Sequence, residues 1–167
     1  METKLKQALQ ELYRDDMLTF FARHPEYFTE ALELAVGDEN PFCWRAASLI
    51  FGCMEQNDPR IREYVPEFIR ILPEKRSGHQ RELLKILDRM EISEQLEGVL
   101  FDHCVNIWEK ITGIPSVRYY AIKTIIGMAS KYPELSKEVF FLTGEHYMET
   151  LSPGIRKAIL RMLKTPV

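Results

Sequence analysis

The stretch Val117-Arg118-Tyr119-Tyr120-Ala121 decides the fold of this 167-residue chain. It begins a run in which apolar side chains continue at helical spacing through Ile122, Ile125 and Ile126. Apolar residues that recur three and four positions apart indicate an amphipathic helix. A turn rich in Gly, Pro and Ser precedes the run at residues 112–116. The pattern therefore predicts a helix over residues 115–131, with an arginine near its start.

The same arrangement occurs three more times in the chain. An arginine stands near the start of each of these apolar segments, which are Trp44-Arg45-Ala46-Ala47, Gln80-Arg81-Glu82-Leu83 and Ile155-Arg156-Lys157-Ala158. The four arginines are spaced 36, 37 and 38 residues apart, and a further helical segment precedes each one, beginning at Pro25, Pro59, Ser93 or Pro133. Such a period indicates stacked helix pairs, because one pair cannot bury its apolar face alone.

With these motifs the chain resembles the HEAT/armadillo superfamily, whose members often carry Val-Arg-x-x-Ala near the start of the second helix of each pair. The resemblance covers residues 25–164. It implies an all-α fold, an α–α superhelix of about four antiparallel helix pairs. We expect a single domain over residues 1–167, with an N-terminal cap of one or two helices and four repeats. The predicted segments are 1–24 for the cap and 25–57, 58–91, 92–132 and 133–164 for the repeats.

Three local features qualify this prediction. The superfamily often places an acidic residue six positions before the arginine, but only Glu39 fits; the other repeats have Lys75, Thr112 and Thr150 there. A complete acidic–basic ladder between repeats is therefore not expected. Pro66 falls inside the predicted helix 59–72, where we expect a kink. The cap is predicted as one helix, or as two helices broken near Asp15-Asp16.

Composition and cysteine usage restrict the cellular setting. The three cysteines, Cys43, Cys53 and Cys104, are odd in number and show no CxxC spacing, which favours a reducing compartment. No apolar run reaches the roughly 18 residues of a membrane-spanning helix, and no signal-peptide core follows the N-terminus. We expect a cytoplasmic protein with no membrane partner. The formal charge of −3 argues against a nucleic-acid binder that is basic overall.

The sequence shows no recognisable constellation for catalysis, for a metal or for a cofactor. The four histidines stand at positions 24, 79, 103 and 146, and no two of them are spaced as ligands on one helix. Phosphate-binding loops and nucleophile motifs are absent. HEAT-like DNA glycosylases use a catalytic carboxylate on a basic, aromatic-lined face, and Asp88 beside Arg89 is the nearest candidate here. We predict no catalytic residue and no enzymatic activity.

Charge is sorted between the two sets of predicted helices. The first helices of the pairs carry a net charge of −8 and the second helices +8. The resemblance implies that the second helices line the concave face, which would then be basic. Partner binding is predicted for the cations of the C-terminal half, which are Arg118, Lys123, Arg156, Lys157, Arg161 and Lys164. The alternative is structural: such arginines can join repeats, and cations at a helix end favour the dipole.

Three functions follow as hypotheses. The first is a non-enzymatic scaffold that binds a protein or peptide, acidic in character, through the basic face. The second is a nucleic-acid-binding or DNA-repair protein that uses the same face, and the third is a structural or oligomerisation module. The aromatic residues Trp44, Trp108, Tyr119 and Tyr120 either form a stacking surface on this face or pack in the core.

Overall fold

The computed structural model describes residues 1–164, which form helices and turns and contain no β-strand. The eleven α-helices of this part are α1 (Lys4–Glu11), α2 (Arg14–Arg23), α3 (Phe28–Val36), α4 (Phe42–Cys53), α5 (Val65–Ile71), α6 (Ser77–Asp88), α7 (Glu94–Glu109), α8 (Pro115–Lys131), α9 (Ser136–Leu142), α10 (Glu145–Met148) and α11 (Pro153–Lys164). Short 3₁₀ turns lie at Pro25–Tyr27, Arg62–Tyr64, Leu72–Glu74 and Pro133–Leu135. The predicted all-α class is confirmed.

Contacts group the helices into two units. The first unit spans Met1–Ile92 and contains α1 to α6, and the second begins at Ser93 and contains α7 to α11. Each unit holds two of the predicted repeats. That the whole chain forms a single domain stays a prediction.

In the first unit the second helices of the pairs form one layer and the first helices another. Helix α4 packs against its pair mate α3 and against α6, while α3 also packs against α5. The two cap helices α1 and α2 both pack against α4. Of the two predicted forms of the cap, the helix pair is the observed one. Its break lies at Leu12–Tyr13, because Asp15 and Asp16 occupy the first turn of α2, where acidic side chains favour the helix dipole.

The second unit repeats this two-layer arrangement. Helix α8 packs against its mate α7, against α9 and against α11, so the second helices α8 and α11 are neighbours. The predicted first helix over 133–149 is divided by Thr143 and Gly144 into α9 and α10. Gly144 has an extended backbone and stands at the N-terminal boundary of α10, so the helical hydrogen-bond pattern is interrupted there.

The predicted kink at Pro66 is wrong. Helix α5 begins at Val65, which places Pro66 in its first turn, where a missing N–H costs nothing. The residues before it form turns and the short 3₁₀ segment Arg62–Tyr64 rather than the start of a long helix. The sequence prediction extended this helix too far toward its N-terminus.

Successive repeats are joined by polar links that differ from the superfamily ladder. Glu39 pairs with Lys6 at 2.8 Å and not with Arg45, which instead donates to the carbonyl of Leu9 at 2.6 Å. Lys75 donates to the carbonyl of Gly37 at 3.0 Å and also pairs with Asp38. In the first unit Arg45 and Lys75 therefore reach back to acceptors of the preceding segment, whereas Lys6 of the cap pairs with an acid that follows it.

Candidate binding surfaces of the second-helix layer

Helix α11 presents a cationic face with an apolar centre. Ile159 is buried, and the opposite side of the helix exposes Lys157, Leu160, Arg161 and Lys164. Their spacing of three, four and seven residues places them on one helix face. The side chain of Leu160 is 47% exposed among these cations. This face can accept an acidic group and an apolar group at the same time.

Two further predicted cations belong to α11 and to its neighbour α8. Arg156 is half-buried, and its guanidinium donates to both carboxylate oxygens of Glu145 at 3.0 Å. Lys123 is half-buried on α8, the helix that packs against α11. Lys131, at the end of α8, donates to Glu97 at 2.7 Å and has an exposed side chain. The structure thus brings Lys123 and the four α11 cations onto neighbouring helices.

Arg118 is placed differently from the other predicted cations. It is 1% exposed, and its guanidinium donates to the carbonyls of Trp108 at 2.9 Å and Tyr147 at 2.7 Å, and to Thr150 Oγ1 at 3.3 Å. The guanidinium also lies 4.4 Å from the centre of the Trp108 ring. Burial lowers the pKa of Arg118, although arginine stays charged at neutral pH. These contacts match the structural alternative, because they join the two repeats of the second unit.

The four aromatic residues do not form one surface. Trp108 is fully buried and donates from Nε1 to the carbonyl of Leu142 at 2.8 Å. Tyr119 and Tyr120 are half-buried and meet edge to face, with ring centres 5.2 Å apart. Trp44, on α4 of the first unit, is 36% exposed. Trp108 is therefore a core residue, and Trp44 is the tryptophan that a ligand can reach.

Two clefts border Trp44 in the first unit. The first has a volume of about 490 Å³ and lies at the turns that precede α4 and α6; it is lined by Asp38, Asn40, Cys43, Trp44, Glu74, Lys75, Arg76, Gly78, His79 and Arg81. The second has a volume of about 420 Å³ and lies between α4 and the cap; it is lined by Gln10, Glu11, Leu12, Tyr13, Arg14, Met17, Trp44, Arg45 and Ser48. Both volumes lie in the range of ligand pockets in proteins.

The remaining cations of α6 pack on an aromatic ring. Lys85 Nζ lies 4.4 Å and the guanidinium of Arg89 4.1 Å from the centre of the Phe51 ring on α4. Such cation–π contacts hold both side chains on the α4–α6 surface. Asp88, the nearest candidate for a catalytic carboxylate, is exposed at the end of α6 and lines neither of the two clefts at Trp44.

Cysteine and metal chemistry find little support in the geometry. Burial raises the pKa of Cys104 to about 12 and also raises the pKa values of Cys43 and Cys53, so all three thiols are protonated at neutral pH. Within residues 1–164, no three His, Cys, Asp or Glu side chains converge to hold a metal ion. In the same part of the chain, no helix combines the length and the apolarity needed to cross a bilayer.

The comparison with protein families gives a match to the HEAT repeat domain over residues 1–165. The chain belongs to this family. Searches of curated proteins and of solved structures each gave no match. The resemblance to HEAT repeats predicted from the spaced arginines is confirmed, and so is the HEAT-like pairing of helices. HEAT repeat domains are in general helical scaffolds that mediate protein interactions and are not enzymes.

Sequence reasoning missed three structural features of this HEAT repeat domain. It did not predict that Lys75, at the position where the superfamily often has an acid, donates a hydrogen bond to the preceding turn. A cation at that position was the sequence signal for this contact. It did not single out the salt bridge between Asp58 and Arg60, with N···O at 2.7 Å. It also left the exposure of Trp44 open, because helical periodicity does not separate a core aromatic residue from one at a groove.

Proposed function

We propose that this HEAT repeat domain is a non-enzymatic scaffold that binds an acidic segment of a protein or peptide through the α8–α11 surface. We define that surface by Lys123, Arg156, Lys157, Leu160, Arg161 and Lys164. The observation that carries the proposal is the α11 face, where three exposed cations surround an exposed leucine. Arg118 is left out because it is 1% exposed and its guanidinium donates to carbonyls within the second unit.

The apolar centre of the face favours a protein partner. An acidic peptide can set carboxylates against Lys157, Arg161 and Lys164 while one apolar side chain covers Leu160. Interfaces between proteins combine a buried apolar centre with a polar rim in this way. A phosphate backbone offers charge but no apolar group to match Leu160, since nucleic-acid affinity rests on phosphate contacts.

Nucleic acid is the second candidate, and one observation favours it. Four cations of the surface follow one another along the single helix α11, an arrangement that suits contact with successive phosphates of one nucleic-acid strand. The two candidates differ in salt dependence. Each phosphate contact contributes about 0.7–0.9 to the slope of log affinity against log salt, whereas a peptide that also buries Leu160 has a shallower slope.

Binding of labelled probes to the full chain tests the proposal. The probes are an end-blocked peptide of alternating glutamate and leucine, single-stranded DNA and duplex DNA. The variant carries Lys157→Gln, Arg161→Gln and Lys164→Gln, and its control loses the same charge at exposed positions elsewhere through Lys4→Gln, Arg62→Gln and Lys137→Gln. We expect the α11 variant to lose about tenfold in peptide affinity, at roughly 0.5 kcal/mol for each exposed charge.

Leu160→Ser separates the partner classes. We expect it to weaken binding of the peptide and to leave binding of both DNA probes unchanged. Equal peptide affinity of the α11 variant and its control would contradict the proposed surface. Tighter binding of DNA than of peptide, with a steep salt slope and no response to Leu160→Ser, would instead establish the second candidate.

A further inference from the structure

Trp44 stands at the border of two clefts in the first unit, well separated in the sequence from the α8–α11 surface. It is 36% exposed on α4 and contributes to the wall of both clefts. Tryptophan combines a large apolar area with a hydrogen-bond donor and is enriched among residues that dominate binding energy. An exposed tryptophan between two clefts is therefore the feature of this unit that most strongly indicates ligand binding.

The lining of the first cleft holds one more cation than it holds acids. Lys75 and Asp38 pair with each other, and burial lowers the pKa of His79, so this ring is neutral at pH 7. Arg76 is exposed at the start of α6, and no ion pair joins it to another residue of the described chain. With Arg81 it outnumbers the remaining acid of the lining, Glu74.

Arg81 is available because Lys75 performs the linking role in this unit. Arg81 occupies the repeat position that Arg118 occupies in the second unit. Arg118 is buried in contacts to carbonyls of the same unit, whereas the Arg81 side chain is 36% exposed and, among the described residues, forms its ion pair with Glu82 of its own helix, at 3.2 Å. The remaining donors of the Arg81 guanidinium can therefore face a ligand in the first cleft.

The second cleft continues the same chemistry on the other side of Trp44. Tyr13 is 87% exposed at the break between α1 and α2, and Arg14 follows it with an exposed side chain. The guanidinium of Arg45 lies 5.5 Å from the centre of the Trp44 ring, and its Nη1 donates a hydrogen bond to the carbonyl of Leu9. Glu11 is the acid of this lining. The second cleft thus offers aromatic surface and a net positive charge.

We propose that the two clefts and Trp44 form one docking site for an extended acidic peptide segment of a partner protein. An apolar or aromatic side chain of the segment packs on Trp44. Carboxylates on either side of it meet Arg76 and Arg81 in the first cleft and Arg14 in the second. In an extended strand, residues two positions apart point the same way and lie about 7 Å from each other, so acids two positions from the apolar residue face the same side as it does.

Nuclear magnetic resonance of the two tryptophan indole N–H groups tests this site in the full chain. The probes are end-blocked seven-residue peptides with Phe, Leu or Trp at the centre and glutamates two or three positions to either side. Matched peptides carry lysine in place of glutamate. We expect the Trp44 indole signal to shift with the acidic peptides, and the signal of fully buried Trp108 to stay in place as an internal control.

Substitutions then identify which cations of the site bind the peptide. Arg76→Gln with Arg81→Gln is expected to weaken acidic-peptide binding by about fivefold, and Arg14→Gln by two- to threefold. The control pair Arg62→Gln with Lys137→Gln is expected to have no effect. The variant with Lys157→Gln, Arg161→Gln and Lys164→Gln should keep the full Trp44 response, so failure of this site and failure of the α8–α11 surface are distinguishable.

Four outcomes would overturn the inference. The first is the absence of a Trp44 shift with every acidic peptide at millimolar concentration. The second is an equal shift with the lysine peptides, and the third is an unchanged affinity for the acidic peptides after the double substitution at Arg76 and Arg81. The fourth is a larger Trp44 shift with oligothymidine than with any peptide, which would identify a base-stacking site instead.

Discussion

The two units join their repeats by different means. In the second unit a buried arginine, Arg118, bridges three acceptors and lies on the Trp108 ring. In the first unit the links are Lys75 to the turn at Gly37 and Asp38, and Asp58 to the segment that follows α4. The same repeat position thus holds a core residue at Arg118 and a cleft residue at Arg81.

This difference shows what a repeat motif does and does not determine. The arginine fixes where the second helix begins, but its neighbours decide its role. Where Trp108 of α7 and Tyr147 of α10 supply carbonyl acceptors and the Trp108 ring lies beside them, the guanidinium is buried and satisfied. Where a lysine already occupies the turn, as Lys75 does with its side chain 5% exposed, the arginine remains at the surface and can serve binding.

The largest expected effect falls on the buried link of the second unit. Trp108→Leu removes the hydrogen bond to Leu142 and the ring on which Arg118 lies, and it leaves a cavity, so we expect a loss of about 3–5 kcal/mol in the free energy of unfolding. Trp44→Leu is the matched control and should lose less than about 1 kcal/mol, because Trp44 is partly exposed. Urea unfolding followed by circular dichroism measures both. Equal losses would remove the contrast between the two tryptophans.

A smaller effect is expected for Asp58 in the first unit. Hydrogen bonds from Arg60 and from the backbone of Glu55 lower the pKa of this carboxyl group from 3.8 to about 2. Since the folded-state pKa is the lower one, the stabilisation is complete above the unfolded-state value and is lost as pH falls from about 4 toward 2. Asp58→Asn should therefore cost about 2 kcal/mol at pH 7.

Unfolding of the wild-type chain and of Asp58→Asn across this pH range tests the linkage. The difference between them should shrink as the pH falls below about 4. Glu67→Gln serves as control, because Glu67 and its partner Arg70 are both exposed and such pairs contribute little. A difference that stays constant from pH 7 to pH 2 would show that the carboxylate charge of Asp58 contributes nothing.

The smallest effect is expected for Lys75→Met. Methionine keeps the packing of the side chain but cannot donate to the carbonyl of Gly37, so the expected loss is about 1 kcal/mol. Asp38→Asn should have less effect than Lys75→Met, because Asp38 is 91% exposed. Thermal unfolding of both variants decides the order. A larger effect of Asp38→Asn would mean that the ion pair, rather than the bond to the backbone, forms the link.

Most of the fold could be predicted from the sequence. Helix α8 was predicted with its observed bounds, because Pro115 and the apolar spacing mark both its start and its buried face. The errors arose where local signals compete. Pro66 was assigned to a helix interior since periodicity alone does not show that the preceding residues form a 3₁₀ turn, and Gly144 divides a helix that hydrophobic spacing had joined.

The candidate sites could be predicted only in part. Sorting of charge between the helix layers pointed to the cations of α11, of which Lys157, Arg161 and Lys164 are exposed; that they bind a partner stays a prediction. It could not separate Arg118 from Arg156, because both follow the same motif and differ only in what the neighbouring repeat offers them. The exposure of Trp44 depends on the break between α1 and α2 and on the turn at Lys75, which no local pattern encodes.

Unfolding of Arg118→Gln and Arg81→Gln side by side tests the central claim most directly, with one substitution at one repeat position in two units. We predict that Arg118→Gln lowers the free energy of unfolding by about 3 kcal/mol, because buried carbonyls lose their donors. Arg81→Gln should change it by less than about 0.5 kcal/mol. Equal destabilisation by the two substitutions would show that both arginines are structural, and would contradict the different roles assigned to Arg118 and Arg81.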